Sequence, residues 1–208
     1  KSGKCGENLT WTLDDEGTLT ISGTGAMQEI SEENKIWEDY KDEITSVIIE
    51  DGATNIAANA FLHCSNLKSV NIPNTVIEIG YSSFLGTGIE KIEIPSSVKK
   101  INSLAFSNCP LTEVKLNEGL IEIGSHIFKL SSNLTEIRLP DSVEALDGTF
   151  AYSYIKNIFI PQKAKFISDG VLDFTYGAES VTVDEKNPYY SSYDGVLYNK
   201  DKTTLISC

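Results

Sequence analysis

The chain runs to 208 residues, 40% of them hydrophobic, and carries a formal net charge of −13. No apolar run approaches the ~18 residues that a membrane-spanning helix needs, so membrane insertion is not expected. An acidic chain without a basic stripe also makes nucleic acid and anionic membranes poor partners, because neutralising phosphates dominates such binding.

In chain order, residues 1–43 come first. Asn8–Leu13 and Thr18–Ser22 are strand-like on either side of Asp14-Asp15-Glu16-Gly17, which predicts a β-hairpin with a glycine-containing loop. From Ser31 to Glu43, the spacing of Ile36, Trp37, Tyr40 and Ile44 predicts a short amphipathic helix. Acid concentrates here: residues 1–51 hold 13 acidic against 4 basic side chains, placing −9 of the −13 in this part. That reads as a solvated surface, with a docking surface for a basic partner or a cation as the alternative.

From Ile44 the chain repeats itself. Leu67-Lys68-Ser69-Val70-Asn71-Ile72-Pro73-Asn74-Thr75-Val76-Ile77-Glu78-Ile79-Gly80-Tyr81-Ser82-Ser83-Phe84 is one pass, and further passes begin at Ile44, Ile89, Leu111, Leu134, Ile155 and about Ala178, with steps of 21–23 residues. A fixed step of about 20–29 residues is the signature of a leucine-rich solenoid. Residues 44–183 are therefore expected to form an α/β repeat solenoid of about seven coils, β-rich with short helical turns. Residues 1–43 then serve as an N-terminal cap (hairpin plus short helix) covering an end that would otherwise expose the core.

Each pass opens with a strand whose inward pair lies two apart, as in Val70/Ile72, Ile92/Ile94, Val114/Leu116, Ile137/Leu139 and Ile158/Ile160. Pro73, Pro95, Pro140 and Pro161 stop these strands, because proline cannot donate to the ladder. Two passes use Glu50-Asp51-Gly52 and Asn117-Glu118-Gly119 instead. Phe61, Phe84, Phe106, Phe128 and Phe150 recur at one position and predict a buried aromatic spine. Segments such as Ile56–Ala60 and Gly124–Ile127 read as short helical turns. Residues 184–208, with Asp194-Gly195 between strand-like segments, predict a C-terminal hairpin cap or a final repeat cut short at Cys208.

Chemistry-bearing residues are sparse. Cys64 and Cys109 each follow a repeat phenylalanine by three, so they share one column two repeats apart, beyond disulfide reach, and read as small buried residues. Cys5 and Cys208 add no C-x-x-C spacing, so no zinc site is expected. His126 with Cys109, one coil apart, is the least remote Cys–His pair. Asp14-Asp15-Glu16-Gly17 lacks calcium-loop spacing. Asn133 precedes a strand as Asn66 does, which suggests a structural role. No catalysis, metal or cofactor is expected.

The outward strand positions are the candidate surface. One column reads Ile48, Asn71, Glu93, Lys115, Arg138 and Phe159, and beside it run Ser46, Ser69, Lys91, Glu113, Glu136 and Asn157. Lys91/Glu113 and Glu93/Lys115 put opposite charges on adjacent strands. Solenoids present such extended faces to partners, so the column is a candidate protein-binding site, against the plainer reading of a solvated ladder. Tyr152, Tyr154 and Tyr176, with Phe159, form a second candidate, an aromatic cluster for glycan rings.

The repeat Leu-x-x-Val-x-Ile-Pro-x-x-Val-x-x-Ile-Gly-x-x-x-Phe, with Cys64 or Cys109 after the phenylalanine, resembles the BspA-type leucine-rich repeats. So do Cys5-Gly6-Glu7-Asn8-Leu9-Thr10-Trp11 near the start and Asn187-Pro188-Tyr189-Tyr190 through Tyr198 near the end. The resemblance implies a right-handed superhelix on a secreted or surface-anchored bacterial protein, in a family associated with adhesion to host proteins and other cells. The expectation is a non-catalytic, monomeric recognition or adhesion scaffold whose partner is a protein (host matrix or another cell surface). The alternatives are a glycan-binding module of a larger secreted protein and a structural spacer.

Overall fold

The computed structural model describes residues 1–31, 34 and 36–207. The repeats wind into coils with three sides. The first side is a strand of three or four residues: Ser46–Ile49, Ser69–Asn71, Lys91–Ile94, Glu113–Leu116, Asn157–Ile160 and Ser180–Val183. Alternation sends Val47, Ile49, Ile92, Ile94, Ile158 and Ile160 into the core and leaves the residues between them outside. The pass at Leu134 lacks a regular strand here; only Glu136 and Arg138 make isolated bridges to neighbouring coils.

The turns follow the residue chemistry. The carbonyls of Pro73, Pro95, Pro140 and Pro161 accept bonds from the amides of Val76, Val98, Val143 and Ala164 at 3.1–3.2 Å. Gly52 and Gly119 replace proline with φ of 119° and 117°. A Cβ at either would stand 2.3 Å from a carbonyl oxygen, that of Gly23 in the N-terminal cap for Gly52 and that of Ser96 in the preceding coil for Gly119. The second side is a continuous parallel sheet of six two-residue strands: Asn55–Ile56, Glu78–Ile79, Lys100–Ile101, Glu122–Ile123, Ala145–Leu146 and Phe166–Ile167.

The third side corrects the expected helical turns. Among the described residues the one helical element is a 3-10 turn, Glu38–Tyr40, so the solenoid is β-built and not α/β. Left-handed backbone recurs on this side at two positions in each of the first five coils, Asn59 and His63, Ser82 and Gly86, Leu104 and Asn108, His126 and Leu130, Gly148 and Tyr152, and at Phe174 in the sixth. Alternate amides then point along the stacking axis. Asn59, Phe61 and His63 donate to Tyr81, Ser83 and Leu85 of the next coil at 2.7–2.9 Å, while Leu62 and Cys64 donate locally to Asn59 and Phe61. A helix would direct every amide along its own axis. Here half of them knit coil to coil, so the side is a third ladder.

One hydrophobic core runs through the coils. Phe61, Phe84, Phe106, Phe128 and Phe150 are all fully buried, as the aromatic spine requires. Phe61–Phe84 and Phe84–Phe106 stack at 5.2 Å between ring centroids. Trp37 continues this column at 5.5 Å from Phe61, and its indole N–H donates to the Ala60 carbonyl at 2.7 Å.

The hairpin is present as Gly6–Leu13 paired with Thr18–Met27, with a third strand, Ser2–Lys4, at its edge. Asp14 Oδ1 accepts the amides of Glu16 and Thr18, which gives the loop its acidic residue a structural task. Thr18–Met27 pairs in parallel with Ser46–Ile49, so the cap is stitched into the first side. Of the amphipathic helix expected from Ser31 to Glu43, Glu32, Glu33 and Lys35 lie outside the described residues. The rest is irregular apart from the 3-10 turn, yet Trp37 and Ile44 are buried as their spacing implied. At the other end Tyr190–Tyr193, Val196–Asn199 and Leu205–Ser207 form an antiparallel sheet. Asp194 and Gly195 both take positive φ in its first turn, as the Asp-Gly signal requires. The last pass, begun near Ala178, supplies a first-side strand and then enters this sheet, leaving six complete coils, one for each strand of the second side.

Candidate functional site

Parallel register turns sequence columns into physical ones. Thr20, Ile48 and Asn71 are successive partners, as are Glu93, Lys115 and Arg138, and Phe159 pairs with Thr182. Pairing stops between Asn71 and Glu93 and between Arg138 and Phe159, but the repeat step carries the column on, so Ile48, Asn71, Glu93, Lys115, Arg138 and Phe159 hold equivalent positions along the first side, all exposed. Ile48 and Phe159 keep 43% and 41% of their surface in solvent, on strands whose alternate residues are fully buried.

The middle of the line is locked by charge. Lys91 reaches Glu113 at 2.9 Å and Lys115 reaches Glu93 at 2.7 Å, both across adjacent coils. Donation to Glu113 holds Lys91 above its ordinary pKa, and the bonds from Lys115 and Asn117 hold Glu93 below the usual carboxylate value. Asn71 and Asn117 donate back to the carbonyls of Ile49 and Ile94. Arg138 makes no ion pair among the described residues, and it borders two adjoining depressions of about 430 and 450 Å³.

The aromatic residues lie elsewhere. Tyr152 stacks on Phe174 at 5.0 Å and on His126 at 5.6 Å, with the Lys129 ammonium 4.7 Å from its ring centre. Tyr154 stacks on Tyr176 at 4.9 Å. Phe159 stands on the strand side and joins no ring stack among the described residues, so the four expected cluster members do not come together. Phe174, 68% exposed, is the member that residue patterning missed. Adding one repeat step of 22 to Tyr152 would have found it. Stacking takes one face of each end ring, and a sugar needs a free ring face, so exposed Phe174 and Tyr176 are the members left to offer one.

The remaining chemistry is structural. Cys5, Cys64 and Cys109 are buried free thiols. Burial pushes the first two up to about 11 and 12 and raises Cys109 as well. Cys208 lies outside the described residues. Cys109 Sγ is spent on the Phe84 carbonyl and the Thr87 hydroxyl, and His126 on its stack, so the Cys–His pair is not assembled. Asn66 donates to the Asp42 carbonyl at 2.7 Å, whereas Asn133 is exposed and shows no such bond, contrary to the parallel drawn between them. Among the described residues no His, Cys, Asp and Glu gather in a metal-holding group.

Solved structures of several bacterial proteins resemble this fold. A leucine-rich repeat protein from Eubacterium ventriosum ATCC 27560 is 27% identical with a TM-score of 0.68, the likeness covering 100% of this chain and 50% of that one. A leucine rich cell surface protein from Faecalibacterium prausnitzii A2-165 is 27% identical with a TM-score of 0.67, covering 94% of this chain and 57% of that one. The pneumococcal vaccine antigen PcpA shares the fold, at 22% identity and a TM-score of 0.73 over 99% of this chain and 55% of that one. The chain thus spans about half the length of these proteins. No curated protein matches it. The pattern of the BspA type leucine rich repeat region matches in six copies, over residues 34–146 and 78–194, and the chain belongs to that family.

Proposed function

We propose that the chain is a non-catalytic recognition scaffold of a bacterial surface or secreted protein, binding protein ligands through its first-side strand face. The observation that carries this reading is the line of Ile48, Asn71, Glu93, Lys115, Arg138 and Phe159. Its apolar members are held in solvent by strands too regular to hide them. Affinity would come from many small contacts on a rigid surface, with exposed Phe159 and Arg138 of the residue types that dominate interface energies. The surface location is supported by the likeness to the leucine rich cell surface protein from Faecalibacterium prausnitzii.

A matrix-protein panel and a glycan array test it. A protein ligand should bind, and Phe159→Ala should weaken that binding about tenfold or more while leaving the melting temperature unchanged. Unchanged binding rejects the strand face. Glycan binding that is lost on Phe174→Ala would move the site to the stacked rings, and silence in both assays would favour a spacer.

A further inference from the structure

The first-side ladder is interrupted twice: Ser69–Asn71 and Lys91–Ile94 share no paired residues among those described, and the ladder loosens again near Arg138. Lys91–Ile94 and Glu113–Leu116 pair over four residues, and so do Asn157–Ile160 and Ser180–Val183. Between these two pairs the chain keeps only the single bridges Lys115↔Arg138 and Glu136↔Asn157. The sheet is loosened there, and the depression of about 450 Å³ lies in the gap.

Its lining is electrostatically sorted. Arg138 is the only arginine in the chain and the one cation of this face without an ion pair among the described residues. Lys115 and Asn117 line the same depression. The carboxylates nearby are already engaged. Glu113 holds Lys91, Glu93 holds Lys115 and Asn117, and Glu118 accepts the amides of Asp141 and Ser142 at 2.9 and 3.1 Å. Glu136, the remaining acid, lines the neighbouring depression on the far side of Arg138. Leu116 and Pro140 give the floor an apolar part.

Resting on the protein-binding reading, we infer that this depression takes an Asp or Glu side chain of the partner, flanked by an apolar residue. The carboxylate is forked by the Arg138 guanidinium, and the apolar neighbour packs on Leu116 and Pro140. A planar guanidinium matches a carboxylate through two parallel bonds, which lysine cannot reproduce. Glu136 sets the polarity of the contact: it excludes the acid from its own side and directs it toward Lys115 and Asn117.

The lone arginine makes the test direct, because its Nε–Hε group gives one side-chain signal in a nitrogen-correlated NMR spectrum. Peptides from a random twelve-residue display library are selected on the whole chain and titrated into the labelled protein. The expected result is enriched peptides with an acidic residue beside an apolar one, and a shifted Arg138 signal. Replacing the acid by its amide, or Arg138→Gln, should cost about tenfold or more in affinity. In Arg138→Glu, a peptide with lysine in place of the acid should recover binding, which a folding defect could not produce. Peptides that shift the Ile48–Phe159 line but not Arg138, or that bind without an acid, overturn the inference and leave the strand-face reading standing. Peptides that shift no strand-face signal, or a library that yields none, overturn both.

Discussion

Ser83 holds the one buried side-chain oxygen without a hydrogen-bond partner among the described residues. Its place in the coil is taken by Ala60 one step earlier and Ala105 one step later, both buried. The position therefore wants a methyl group, and the hydroxyl loses its water bonds without replacement. An unsatisfied buried hydroxyl costs on the order of 1–3 kcal/mol. Ser83→Ala should raise unfolding free energy by about 1 kcal/mol in urea titration, and a destabilised variant would mean that the hydroxyl has a partner. Phe84, its neighbour in sequence, sits in the stack between Phe61 and Phe106, and Phe84→Ala should lose about 3–5 kcal/mol by the same measurement.

The elements differ in how far the residues disclose them. The strands of the first two sides were legible because alternation of apolar and polar residues encodes which way a side chain points, and Pro73 or Gly52 marks where each strand stops. The face column was legible for the same reason. The third side was not, because Leu104 and Tyr152 carry no preference for the left-handed backbone they adopt. That conformation is imposed by the neighbouring coil: the Leu104 amide donates to the Ser125 carbonyl at 2.9 Å, and the Tyr152 amide to Asp173 at 2.9 Å. The loosened ladder at Arg138 was likewise hidden, since it is a property of how coils stack.

A sharp consequence follows at Leu104. In a helix interior, alanine is more stable than glycine by about 1 kcal/mol. At φ of 62° the order inverts, because a Cβ costs about 1–2 kcal/mol in left-handed backbone and glycine does not bear it. Leu104→Gly should therefore be more stable than Leu104→Ala by about 1 kcal/mol in chemical denaturation. The reverse order would restore the helical turn.

At the scale of the whole molecule two electrostatic effects oppose each other. Lys91–Glu113, Lys115–Glu93, Lys100–Glu122, Lys165–Glu144 and Lys156–Glu179 each tie one coil to the next, at 2.6–3.1 Å. Against them stands the net charge of −13, most of it in the acid-rich first 51 residues. Salt weakens both, but unequally. The pairs are far closer than the ~10 Å screening length at 0.1 M salt, so they are screened little, and exposed pairs contribute only about 0–1 kcal/mol each. The repulsion acts over longer distances, where screening is nearly complete, and it is felt by the stack as a unit because each coil is held only by its neighbours. Raising sodium chloride from about 20 to 500 mM should therefore raise the melting temperature, with the gain complete once the screening length falls below the coil dimensions. A melting temperature that falls with salt would mean that the cross-coil pairs outweigh the net-charge repulsion.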